Sequence, residues 1–249
     1  MRMRLIFGIL LFLIVVPLSA QQVKSVIPYR MVGGKMIVDM TINGQVRSFI
    51  FDTGGQMALT GELCEELNIP VVDSVKVTDV NGKEVGLPRV VVSSLMTPDE
   101  RINFSGAPAM KLSTPSPFEC FHADGLIGSD LFKDLIVEID GKAKTITVTS
   151  AEKSSTVSLR KMLPFSGKGF MPIITLQAGA GNSLVALFDT GCPSFLSLKN
   201  TDYENLRSSG AFQVMSEGVG GGSIGVGGLM FLPIIYSALL DMMDWILKC

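Results

Sequence analysis

Two aspartates in repeated surroundings are the residues of this sequence best suited to chemistry. Ile50-Phe51-Asp52-Thr53-Gly54 recurs as Leu187-Phe188-Asp189-Thr190-Gly191, 137 positions later. An aspartate directly after an apolar strand is poorly placed for a core and well placed at a strand end. Gly54 and Gly191 let the backbone turn there and let another chain approach closely. Thr53 and Thr190 carry hydroxyls able to bond to the opposite loop and so lock two Asp loops together. If the copies face one another, their carboxylates cannot both ionise cheaply and share one proton. One then acts as general base on a water held between them, while its protonated partner donates to a substrate carbonyl. This chemistry calls for no metal, no cofactor and no covalent intermediate. A single Asp-Thr-Gly reads equally well as a turn at a strand end; two copies, each behind an apolar pair and a hairpin, favour a carboxylate dyad.

Other chemistries find less support. His122 is the sole histidine and lies in an unrepeated segment, so it reads as a loop residue rather than the base of a nucleophile. Cysteines 64, 120, 192 and 249 lack zinc-type spacing and are expected to be mostly free, buried thiols, although four cysteines allow three pairings. The net charge is −2 with no long run of Lys and Arg, which excludes nucleic acid as an expected partner. Gly218 to Gly228 holds seven glycines, but no Lys-Ser or Lys-Thr follows to make a phosphate loop. A mobile loop over a cleft, or a disordered one, is expected there.

The elements that must position the aspartates read as strands. Met36 to Ile42 and Val46 to Phe51 flank Asn43-Gly44, a hairpin signal. Val75 to Val80 and Glu84 to Val92 flank Asn81-Gly82, and Leu135 to Ile139 and Thr145 to Val148 flank Asp140-Gly141. Thr60 is placed to cap a short helix through Leu67, and Ser129 to cap one or two turns through Asp134. The repeat extends upstream, because Met171 to Asn182 copies the strand, turn and returning strand of Met36 to Arg47. The expected fold is all-β: residues 21–150 form a first lobe, 151–164 a linker and 165–249 a second, partial lobe.

Arg2 and Arg4 precede an apolar run from Leu5 to Pro17, and Leu18-Ser19-Ala20 offers a cleavage point, so residues 1–20 read as a signal peptide. Export to a periplasmic or extracellular space is expected. Membrane contact is expected only through this segment or the apolar carboxyl tail.

With these motifs in place, the chain resembles the pepsin-like and retropepsin-like aspartic proteases. Asp124-Gly125-Leu126-Ile127-Gly128 is similar to that family's late Gly motif, whose apolar pair packs beneath the Asp loop while the glycines permit close crossing. The resemblance implies a two-lobed acid-protease-like β-barrel fold and peptide-bond hydrolysis of peptide or protein substrates. It implies Asp52 and Asp189 as catalytic residues, supported by Thr53, Gly54, Thr190 and Gly191. It also implies a flap over the substrate, for which the hairpin tip at Val80, Asn81 and Gly82 is the candidate.

The sequence departs from that pattern in two places. Gly55 and Cys192 stand where the family usually has Ser, Thr or Ala. No second Asp-Gly-apolar-apolar-Gly follows Asp189, so the second lobe reads as incomplete, with Leu229 to Leu247 expected to cover it as a helix. Three readings follow: a monomeric endopeptidase using Asp52 and Asp189, an inactive peptide-binding or assembly module, or a homodimer using Asp52 twice.

Overall fold

A computed structural model of the chain describes residues 23–78, 82–116, 118–150, 165–166, 171–178, 181–192, 196–211, 213–225 and 228–238. The expected signal peptide and linker lie outside them, as do Val80 and Asn81 of the flap candidate. The chain is all-β with a few short helices, as its patterning predicts.

Its amino-terminal part runs β1 (Lys24–Val32), β2 (Lys35–Ile42), β3 (Gln45–Asp52), β4 (Ala58–Leu59), α1 (Gly61–Glu66), β5 (Val71–Thr78), β6 (Glu84–Val92), β7 (Leu95–Met96), β8 (Ala107–Lys111), β9 (Gly125–Gly128), β10 (Leu135–Asp140) and β11 (Thr145–Ser150). Among the described residues these form one sheet in the order β10-β11-β1-β2-β3-β9-β4-β8-β6-β5, with β7 on β2. All three expected hairpins form. Asn43 and Gly44 both take positive φ, 48° and 77°, as a two-residue turn matched to strand twist requires. Alternation sets which face is buried: Ser25, Ile27 and Tyr29 of β1 point inward while their neighbours are exposed. Phe49 and Phe51 join Ile27, Val38, Met40, Leu59, Leu63, Ile146 and Val148 in the main core.

Thr60 caps α1 as expected, its hydroxyl accepting from the Leu63 N–H at 3.2 Å. Asn68, in the left-handed region at φ 52°, ends the helix, and the Ile69 N–H returns to the Cys64 carbonyl at 2.8 Å. The second expected cap does not form. Ser129 is the first residue of a 3-10 turn, Ser129–Phe132, and Gly128 holds the cap position without a side-chain bond. The cause is the crossing at Gly128, which directs the Ser129 N–H to the Gly55 carbonyl at 3.2 Å and leaves its hydroxyl buried without a partner.

The second part runs β12 (Phe165–Ser166), β13 (Ile173–Gln177), β14 (Ser183–Leu187), α2 (Asn200–Ser208), β15 (Gln213–Gly225) and β16 (Gly228–Ala238). β12, β13 and β14 form a three-stranded antiparallel sheet, and α2 lies against it through Tyr203 and Leu206 beside Leu184 and Ala178. Strand, hairpin, helix and hairpin thus recur in the order of β1, β2, β3, α1, β5 and β6.

Two expectations fail in this part. The glycine-rich stretch is not a loop, because it lies within the β15–β16 hairpin, where register shifts between Val214 and Ser216 and between Val219 and Gly222 take up irregular residues. Nor does the following apolar segment begin as a helix. Pro233 removes a helix donor and Ile234-Ile235 favour extended backbone, so residues 229–238 pair as β16. Residues 239–249 lie outside the described ones. No helix among the described residues is long and apolar enough to cross a membrane.

Candidate active site

Asp52 ends β3, and its position is set by the strand beside it. β9 runs parallel to β3 with Phe51 opposite Ile127 and Asp52 opposite Gly128. β9 also pairs antiparallel with β4, so it passes between two segments of the same loop. Only glycine fits at both ends of that passage. A Cβ on Gly125 would collide with the Ala58 carbonyl, and one on Gly128 would lie 2.5 Å from the Gln56 Cα and the Gly55 oxygen.

The two Asp-Thr-Gly loops meet and bond reciprocally. The Thr53 N–H donates to Thr190 Oγ1 at 3.0 Å, and the Thr190 N–H donates to Thr53 Oγ1 at 3.1 Å. Each hydroxyl then donates across the divide, Thr53 to the Phe188 carbonyl at 2.7 Å and Thr190 to the Phe51 carbonyl at 3.0 Å. Each aspartate accepts from the glycine two residues on, Asp52 from Gly54 at 2.9 Å and Asp189 from Gly191 at 2.7 Å. These six bonds form a pseudo-twofold arrangement; one ordinary hydrogen bond contributes about 0.5–1.5 kcal/mol net. The glycines are required here too. A Cβ on Gly54 would stand 2.5 Å from the Asp189 Cγ, and one on Gly191 would run into the Asp52 carboxyl.

The loops bring the carboxyl groups of Asp52 and Asp189 close together, near enough for Asp189 to disfavour ionisation of Asp52. Burial, then the charge of Asp189 and the bond to it, push Asp52 up to about 7, against the opposing pull of the Gly54 N–H and the Lys35 ammonium. Asp52 is therefore about half protonated near neutral pH and fully so only well below it.

Lys35 and Asp130 also belong to this site, and sequence reasoning missed both. Lys35 opens β2, and its Nζ donates to the Gly191 carbonyl, tying the first sheet to the second Asp loop. The same ammonium lies 5.9 Å from the Phe121 ring centroid. Asp130 follows β9 and accepts the Met57 N–H at 3.0 Å, holding the far side of the Asp52 loop; burial raises its carboxyl against that bond. Asp124 Oδ2 accepts the Ser48 N–H at 3.1 Å, which pins the start of β9 to β3. The Asp-Gly motif hinted at Asp124, but nothing in the spacing connects Lys35 with a residue 156 positions away.

Gly82 is described at φ 77°, a turn conformation, at the end of the β5–β6 hairpin. His122 is exposed, at φ 52°. Of the thiols expected to be buried, Cys64 is buried and free, and burial pushes it up to about 11. Cys120 is exposed instead, because it sits in a surface 3-10 turn, and Cys192 is half-exposed beside the Asp loop with its Sγ 3.7 Å from Ser197 Oγ. Among the described residues no group of three His, Cys, Asp or Glu is placed to hold a metal ion.

Residues 38–131 match the family described as Aspartyl protease, a stretch holding Asp52, the β5–β6 hairpin and the β9 glycines. Over that stretch the resemblance read from the sequence holds, and the class it indicates is the aspartic-type peptidases. Solved structures similar to the chain include a retropepsin-like aspartic protease from Rickettsia conorii, 17% identical, with a TM-score of 0.38 over 52% of this chain and 92% of that one. No curated protein sequence matches the chain.

Proposed function

We propose that the protein is an aspartic-type endopeptidase in which a water between Asp52 and Asp189 attacks a substrate peptide bond. The observation that supports this most is the close approach of the two carboxyl groups across reciprocally bonded loops, with Asp52 held near 7. In this reading the ionised oxygen removes a proton from the water as it attacks the carbonyl carbon. The protonated partner donates to the carbonyl oxygen; as the C–N bond breaks, the proton gained passes to the leaving amine and a hydroxyl of the tetrahedral carbon returns its proton to that partner. Thr53 and Thr190 hold the loops in register, and the β5–β6 hairpin serves as the flap. The work is done after export, on peptide or protein substrates.

The meeting of the Asp52 and Asp189 loops within one chain favours the monomeric dyad over a homodimer that uses Asp52 twice. Hydrolysis of a denatured protein substrate tests this. Asp52→Asn and Asp189→Asn, which change proton chemistry and little volume, should each lower kcat at least a thousandfold. Full activity in both variants would remove the reading, and loss in Asp52→Asn alone would favour the homodimer.

A further inference from the structure

We propose that the open edge of β14 receives a Gly-apolar-apolar-Gly strand from a second polypeptide, laid parallel to it as β9 lies on β3. The internal repeat supplies the template. On β3 the register is Phe49 with Gly125, Ile50 with Leu126, Phe51 with Ile127 and Asp52 with Gly128. Phe49, Ile50 and Phe51 are then at most 3% exposed. The corresponding residues 137 positions later are Ala186, Leu187, Phe188 and Asp189. Among the described residues β14 pairs only with β13, and its second edge has no strand. Leu187 is 39% exposed, Phe188 51% and the neighbouring Val185 75%. An apolar edge strand of this kind is a ready template for strand addition, with main-chain bonds giving affinity and alternate side chains giving selectivity.

The loop beyond the edge defines the residues that fit. The Cys192 N–H turns back to the Asp189 carbonyl at 3.3 Å, as the Gly55 N–H does to Asp52 at 3.3 Å. A strand ending opposite Asp189 would follow the register that sets Gly128 opposite Asp52, a position where only glycine fits in the first copy. The apolar pair between the glycines covers Leu187 and Phe188. Two sources within the protein are already committed. The sequence contains one Asp-Gly-apolar-apolar-Gly segment, and that segment is held between β3 and β4, so a second copy of the chain has none to lend. β15 and β16 pair with each other along one edge, and neither contains a Gly-apolar-apolar-Gly segment. The inference concerns strand pairing alone and does not rest on the proposed hydrolysis.

The probe is a capped peptide copying residues 123–132, added to the full chain and followed by amide hydrogen exchange and calorimetry. Saturable one-to-one binding is expected, with exchange of the 183–189 amides slowed at least tenfold. The same peptide with valine at both glycine positions should slow it less than twofold. Equal protection by both peptides, or none by either at millimolar concentration, would overturn the proposal. So would slow exchange of this segment in the dilute chain alone, which would mean that its own residues cover the edge. Protection that rises with protein concentration and ignores the peptide would assign the edge to a second copy and overturn it equally.

Discussion

At the scale of single residues, the site depends on a balance of charge that a lysine helps to set. Burial and Asp189 raise Asp52, while Lys35 pulls it down. The proposed reaction requires one shared proton, so activity falls as pH rises through about 7 and that proton leaves. Removing the ammonium makes the proton harder to lose. Lys35→Met should therefore move the alkaline limb of the kcat/KM profile to higher pH. An unchanged profile would show that Lys35 only ties the loops together. The Asp pair and its threonines were legible in the sequence because the motif is local and repeated. Lys35 and Asp130 were not, because their roles arise from tertiary contacts to Gly191 and Met57 that no local spacing encodes.

At the scale of elements, hairpins were readable wherever a turn pair such as Asn43-Gly44 imposes backbone conformation on flanking β-branched runs. β15 and β16 were misread because seven glycines in Gly218 to Gly228 mask a strand, and a run of large apolar residues fits helix and strand alike until Pro233 is weighed. β9 is the element whose chemistry is most exacting. Gly128→Val places side-chain atoms against Gln56 and Gly55 and should cost about 1–3 kcal/mol in urea unfolding, the usual range for overpacking, with loss of hydrolysis. Gly86→Ala in β6 meets no atom within 4 Å at an ordinary φ and should change stability by less than about 0.5 kcal/mol. Equal losses in the two variants would contradict the close-crossing account of β9.

At the scale of the whole molecule, the two copies of the repeat are unequally supported. Among the described residues the first buries Phe49, Phe51 and their neighbours in an extensive core, whereas the second buries Ala178, Leu184, Tyr203 and Leu206. Local opening follows buried apolar contact, so the second part should exchange amide hydrogens and yield to protease first. Limited trypsin digestion should leave a resistant fragment covering residues 24–150; earlier loss of that fragment would reverse the assignment. The unequal support was foreseeable from the missing second Asp-Gly motif, but not how the tail would respond. The central claim, that Asp52 and Asp189 share one proton within a single chain, is open to direct measurement by carbon-detected NMR titration of the Asp52 carboxyl. Wild-type protein should give a value near 7, and Asp189→Asn, which removes the neighbouring charge but leaves the burial, should lower it part of the way toward the ordinary 3.8. An Asp52 that titrates near 3.8 in the wild type, or one indifferent to Asp189→Asn, would contradict the dyad.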